Sequence, residues 1–192
     1  MRINTIAMKV AILSMQQIKN YGSFLQAFSL KKNIESLGHT CEFINIIPGE
    51  QLEGYKTSCF YNIKLLFQRL WGWDFYKRFQ SIFVFQNRFR KEFLPYLGVK
   101  KGINTKHYDV VVIGSDEVFN CTQKTWFGFS SQLFGKGLNA SRIITYAASF
   151  GATTTDKLQL VGKKEIVSSL LHDLDAISVR DENSMKVIEE LT

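Results

Sequence analysis

Four consecutive β-branched residues, Val110-Val111-Val112-Ile113, run straight into Gly114-Ser115-Asp116-Glu117. Such a run leaves no polar face for water, so a strand built from it needs cover on both sides. The same grammar recurs along the chain. Val10-Ala11-Ile12-Leu13 is a second continuous apolar run, followed by a polar loop through Gly22. Phe24, Leu25, Phe28, Leu30 and Ile34 then recur at mostly helical spacing as far as Leu37, and Gly38 suits the left-handed residue that closes a helix. Residues 41–47 read as a strand closed by Pro48-Gly49, and Ile143 to Ala148 as another. A helix is expected over 156–171, a short strand over 176–179, and a last helix from an Asp181 cap to Leu191. Alternating β and α elements of this length predict an α/β fold, a parallel sheet with helices on both faces. The strand order is not readable at this level.

The charge is concentrated. Of the net charge of +7, residues 56 to 106 carry eleven Lys and Arg against Asp74 and Glu92, so the remainder sums to −2. Half of the 26 aromatic residues lie between Phe60 and Tyr96. Phe75, Phe79, Ile82, Phe83, Phe85, Phe89 and Phe93 are expected on one face of an amphipathic helix of about five turns, which Pro95 would stop. Lys77, Arg88 and Lys91 lie opposite, with Arg78 and Arg90 at the apolar edge. This basic aromatic insertion, at about 56–106, is read as a stripe buried on this domain or a partner, or as a surface for anionic lipid headgroups or a glycan-lipid. Nucleic-acid binding is disfavoured, because no recognised nucleic-acid module accompanies the patch.

Cys41, Cys59 and Cys121 are far apart, with no CxxC, and His39, His107 and His172 have no metal-ligand spacing. That excludes a disulfide framework and a zinc site, so no metal is expected, and it fits a reducing compartment. No apolar run approaches the roughly 20 residues of a membrane-spanning helix. Residues 1–7 read as a tail without secretory character and 8–192 as the domain, expected in the cytoplasm, with contact at the inner membrane face as the one exception.

In open α/β sheets ligands sit beyond the C-terminal strand edge, and three loops here belong there. Gln17 to Ser23 leads into the first helix, where free backbone amides suit a phosphate, carboxylate or sugar hydroxyl; the alternative is that Ser23 caps the helix and Asn20 shapes the turn. Gln26 lies one turn further on, facing the same crevice. Gly114 to Asn120 carries the adjacent carboxylates Asp116 and Glu117, either a capping cluster or a general base whose neighbour raises its pKa. Ala148 to Thr155 offers Ser149, Gly151 and three threonines, as a crevice lining or a solvated loop. Arg180 could clamp an anion or pair with a carboxylate such as Asp181.

In order, Asn20-Tyr21-Gly22-Ser23-Phe24-Leu25-Gln26-Ala27-Phe28, Leu37-Gly38-His39, Tyr108-Asp109-Val110 through Ile113-Gly114-Ser115-Asp116 with Val118 and Asn120, Ile144 to Gly151, and Asp175 to Arg180 resemble the N-terminal half of the polysaccharide pyruvyl transferase family. The resemblance implies a Rossmann-like domain, the acceptor side of a GT-B-like two-domain transferase whose C-terminal donor domain this chain lacks. It implies transfer of a pyruvyl group from phosphoenolpyruvate to two sugar hydroxyls as a ketal, with no cofactor beyond that donor substrate. The partners implied are a glycan or glycan-lipid acceptor and the missing domain or a partner chain. On this basis Asp116 and Glu117 are the expected catalytic residues. Asn20, Tyr21, Gly22, Ser23, Gln26, Gly114, Ser115, Asn120, Ser149, Gly151 and Arg180 are the expected substrate-binding residues. Glu117 stands where the family usually has Gln, and Phe119 where it has Trp. A non-catalytic docking domain of the same fold, or half of a nucleotide-sugar glycosyltransferase, are the alternatives.

Overall fold

A computed structural model describes residues 6–55, 75–99 and 106–192. Strands β1 (Lys9–Leu13), β2 (Thr40–Phe43), β3 (Tyr108–Asp116) and β4 (Ala140–Ala148) form one sheet in the order β2-β1-β3-β4, every pair parallel. The chain moves from β1 outward to β2, then returns past β1 to β3 and continues to β4. The direction of winding therefore reverses between β1 and β3.

Alternation along the strands builds two apolar layers. Val10, Ile12 and Val112 face helix α1 (Tyr21–Ser36), which answers with Phe24, Ala27, Leu30 and Ile34. Ala11, Leu13, Val111 and Ile113 face the other way, onto Leu158, Val167, Leu171, Val187 and Leu191. Those residues belong to α4 (Thr155–Leu160), α5 (Lys164–His172) and α6 (Glu182–Leu191), which follow α2 and α3 described below. The β-branched run of β3 is thus covered on both faces, as its composition requires.

The helix boundaries have local causes. Asn20, not Ser23, caps α1: its backbone is extended and its Oδ1 accepts the Gly22 amide at 2.7 Å, while Ser23 is buried within the helix. Gly38, at φ +89, closes it. The helix expected over 156–171 is two helices, because Gly162 at φ +64 ends the first. Lys163 donates its amide to Leu158 O across that turn at 2.8 Å, a Schellman closure. The strand expected over 41–47 keeps sheet pairing only through Phe43, after which Ile44 donates to Ile12 O and the chain turns toward residues 127–132. The strand expected over 176–179 is reduced to two parallel bridges to β4, Ile144 with Ala176 and Ala148 with Val179. Asp181 caps α6 as expected, accepting the Ser184 amide at 2.8 Å.

Pro95 does not stop the aromatic helix. Helix α2 (Phe75–Arg88) widens into a π turn (Phe89–Phe93) and then re-forms as α3 (Leu94–Leu97), with Pro95 in its first turn and Gly98 at φ +65 as the true stop. The wider turn lies just upstream of the proline, whose ring would otherwise press on the carbonyl four residues earlier. Phe85, Phe89 and Phe93 close on α1. The Tyr21 ring stands 5.1 Å from those of Phe85 and Phe93, and the Phe24 ring 5.2 Å from Phe93. Phe83 departs from the expected face and is 59% exposed, since residues two apart lie on opposite sides of a helix. The side chains of Phe75, Phe79, Ile82, Lys77 and Arg78, and the basic residues Lys56, Lys64, Arg69, Lys100 and Lys101, lie outside the described residues. Among the described residues, no helix is long and apolar enough to cross a membrane.

Phe89 has no exposure and sits at the centre of this ring cluster. Phe89→Ala is expected to cost about 3–5 kcal/mol in urea denaturation. Leu160→Ala, at a position 85% exposed, should stay within about 0.5 kcal/mol.

Candidate active site

Because all four strands are parallel, the loops after β1, β3 and β4 leave the same edge. The winding also reverses on this edge, between β1 and β3, and such reversals are where open α/β sheets take ligands. Hydrogen bonds tie the first loop to the second. Ser14, fully buried, donates its hydroxyl to Ser115 O at 2.7 Å. Gln16, also fully buried, accepts the Ser14 amide at 3.0 Å and donates to Ile44 O at 2.7 Å. Neither residue was singled out from sequence, although polar side chains directly after a buried strand were the available signal.

The second and third loops are knitted more closely. Asp116 O accepts the Ser149 amide at 3.0 Å, and Ser149 O accepts the Phe119 amide at 3.0 Å. Glu117 Oε2 accepts Asn120 Nδ2 at 2.7 Å, and Asn120 Oδ1 accepts the Thr153 hydroxyl at 2.9 Å. Gly151, at φ +55, lies beneath this pair: a Cβ there would sit 2.5 Å from both Asn120 Nδ2 and Glu117 Oε2. Ser149 is buried and accepts the Gly151 amide at 2.9 Å. Phe119 is fully buried, with its ring 4.7 Å from that of Phe134.

The two carboxylates read as a pair have separate partners. Glu117 is turned into the third loop. Asp116, held at φ +100, aims at Arg180, whose Nη2 lies 3.6 Å from Asp116 Oδ1. Arg180 Nη1 donates to Gln26 Oε1 at 3.3 Å. Arg180 therefore pairs across the sheet edge with Asp116, while the neighbouring Asp181 is occupied as a helix cap. Gln26, Ser115, Tyr146 and Arg180 are among the residues lining a crevice of about 380 Å³ between α1 and β4.

Of the expected site residues, the structure thus gathers Gln26, Ser115 and Arg180 at the crevice, with Asp116 next to it through its pairing with Arg180. Glu117, Asn120, Ser149 and Gly151 form the hydrogen-bonded layer beside it. Gly114, at φ +118, is where β3 passes so close to β4 that a Cβ would collide with Tyr146 O. Asn20 and Gly22 share the helix cap, Ser23 is interior, and the Tyr21 ring belongs to the aromatic cluster. Both described cysteines lie apart from the crevice lining. Burial pushes the Cys121 thiol up to about 12 and the Cys41 thiol up to about 11.

A family model described as polysaccharide pyruvyl transferase matches residues 20–192, from the Asn20 cap through the second and third loops to the end of α6. The chain belongs to the polysaccharide pyruvyl transferase family. No curated protein and no solved structure matches it.

In this pyruvyl transferase family member, Asp181 links the third loop to α6. Burial alone raises its carboxyl. Hydrogen bonds from the Ser149 hydroxyl and from the Ser184 amide and hydroxyl, with the Arg180 charge, outweigh burial and hold it below the ordinary aspartate value of 3.8. A depressed folded pKa contributes stability that is complete above the unfolded value and lost as pH falls through the folded one. Asp181→Ala should therefore cost about 1 kcal/mol near neutrality. That deficit should shrink below pH 3.8 in urea melts at stepped pH. Gly151→Ala, strained in φ and crowded by Glu117, should cost at least about 2 kcal/mol in the same assay.

Proposed function

We propose that this chain is the acceptor-side half of a ketal-forming pyruvyl transferase, with phosphoenolpyruvate as donor and a glycan or glycan-lipid as acceptor. The observation that carries the reading is the Asp116 carboxylate held toward Arg180 at 3.6 Å, beside a crevice between α1 and β4 at the loop edge of a parallel sheet in a member of this family. A second, GT-B-like unit facing the crevice supplies the cations for the donor's carboxylate and phosphate.

The chemistry assigns a distinct task to each side. One sugar oxygen bonds to C2 of the enolpyruvate while C3 gains a proton. The C2–O bond to phosphate breaks, and phosphate leaves with the electron pair. The second sugar oxygen then bonds to C2. Two hydroxyl protons are released overall; C3 takes up one proton and the phosphate another, so the methylene becomes a methyl group. Asp116 accepts the hydrogen bond of the attacking hydroxyl and takes its proton as the C–O bond forms. Arg180 fixes the direction of that carboxylate, and Gln26 holds Arg180 from the α1 side. Glu117, tied to Asn120, keeps the loop in place and positions rather than reacts.

The test is direct. The full gene product, given phosphoenolpyruvate and a glycan acceptor, should release phosphate and produce a new ketal methyl signal by NMR in equal amounts. Asp116→Asn should lower that rate by at least about a hundredfold, with an unchanged melting temperature. Full activity in Asp116→Asn would remove the carboxylate from the reaction. Intact donor with every acceptor tried would overturn the reading itself.

A further inference from the structure

The crevice has one wall that the reaction above leaves unassigned. Tyr146, near the end of β4, is 51% exposed, and among the described residues no aromatic ring stands against its own. Tyr21, by contrast, meets three rings. Tyr146 lies two residues beyond Ile144, so by strand alternation it shares the sheet face that α1 covers. Ala147 follows at φ +48, a conformation that a non-glycine residue adopts only at a cost. From α1, Leu25 enters the same crevice and is 57% exposed. The polar side chains there are the Gln26 and Asn33 amides, the Ser29 and Ser115 hydroxyls and the Arg180 guanidinium.

A pyranose has the complementary anatomy, an apolar face of C–H bonds and a rim of hydroxyls. A bare aromatic ring with one aliphatic neighbour matches the face, and amides with a guanidinium match the rim. An acyl chain would offer no hydrogen bond to the Asn33 amide or the Ser29 hydroxyl, at a cost in desolvation. The volume of about 380 Å³ falls at the lower end of the roughly 300–1,000 Å³ range of small-molecule sites. Resting on the proposed ketal transfer, we propose that Tyr146 is the stacking platform for the acceptor pyranose, with Leu25 at its edge and Asn33 reading a hydroxyl on the side away from Asp116. The ring so placed presents its reacting hydroxyls to Asp116 past Arg180. Tyr146 then sets which sugars are accepted, since a pyranose with an axial hydroxyl on the stacked face cannot lie flat on it.

The test separates binding from turnover. Methyl α- and β-pyranosides of glucose, galactose and mannose serve as probes in saturation-transfer-difference NMR with the full gene product. At millimolar concentration the strongest transfer should fall on C–H protons of one ring face. Tyr146→Ala should weaken binding of the best probe about tenfold and raise acceptor KM while leaving kcat unchanged. Tyr146→Phe should keep both, because the ring and not the hydroxyl is used. Melting temperatures should agree among the three proteins, since the side chain is at the surface. Wild-type binding by Tyr146→Ala, or no binding of any probe to the wild-type protein, overturns the platform. Tyr146-dependent sugar binding without ketal formation from phosphoenolpyruvate leaves the platform standing and overturns the proposed reaction instead.

Discussion

Parallel pairing of β1, β3 and β4 is the constraint on which the site depends. A parallel strand must be left and re-entered by a crossover, so each strand ends at the same edge as its neighbour and every outgoing loop begins there. The pairing of Asp116 with Ala148 in register is what allows Asp116 O to reach the Ser149 amide, and Ser149 O the Phe119 amide. A slip of one residue would move every side chain to the other face and separate those loops. The two apolar layers fix that register: Val111 and Ile113 can bury on the α4–α6 side only if Val112 buries on the α1 side.

On that edge, polar groups are buried because each finds a partner. Ser14, Gln16 and Ser149 are all close to fully buried, and each has a hydrogen bond at 3.0 Å or shorter. A buried polar group left without a partner costs about 1–3 kcal/mol, so these residues order the three loops in a single arrangement. The loops therefore hold Asp116 in one position, which is the form of preorganisation that the proposed reaction needs.

Much of this was legible in the sequence, and the missing parts share a cause. The β3 run, the Gly38 stop and the Asp181 cap were readable because each is decided by residues within a few positions of one another. The family blocks were readable for the same reason, as contiguous stretches. The break at Gly162 was legible in principle and lost to the apolar spacing on either side of it. The π turn before Pro95 was not readable, because it depends on where Phe85, Phe89 and Phe93 must meet Tyr21 and Phe24. Arg180 pairing with Asp116 rather than with a sequence neighbour depends on the sheet order, which no local pattern encodes. The same holds for Tyr146, whose isolation appears only once α1 and the Phe cluster have taken their places.

The Asp116–Arg180 pair is a poor device for stabilising the fold. Its groups are 15% and 31% exposed and 3.6 Å apart, and such pairs contribute at most about 1 kcal/mol. Holding Asp116 at φ +100 costs on the order of 1–3 kcal/mol. The backbone strain is therefore at least as large as the attraction it permits. Glycine in place of Asp116 would relieve the strain but would lose both the ion pair and the hydrogen bond that Asp116 Oδ1 accepts from the Glu117 amide at 2.9 Å. The side chain thus has two partners at the edge where three loops are locked together, the following amide within its own turn and Arg180 across from it. The local bond to the Glu117 amide serves the turn, whereas the direction toward Arg180 is what the proposed reaction uses.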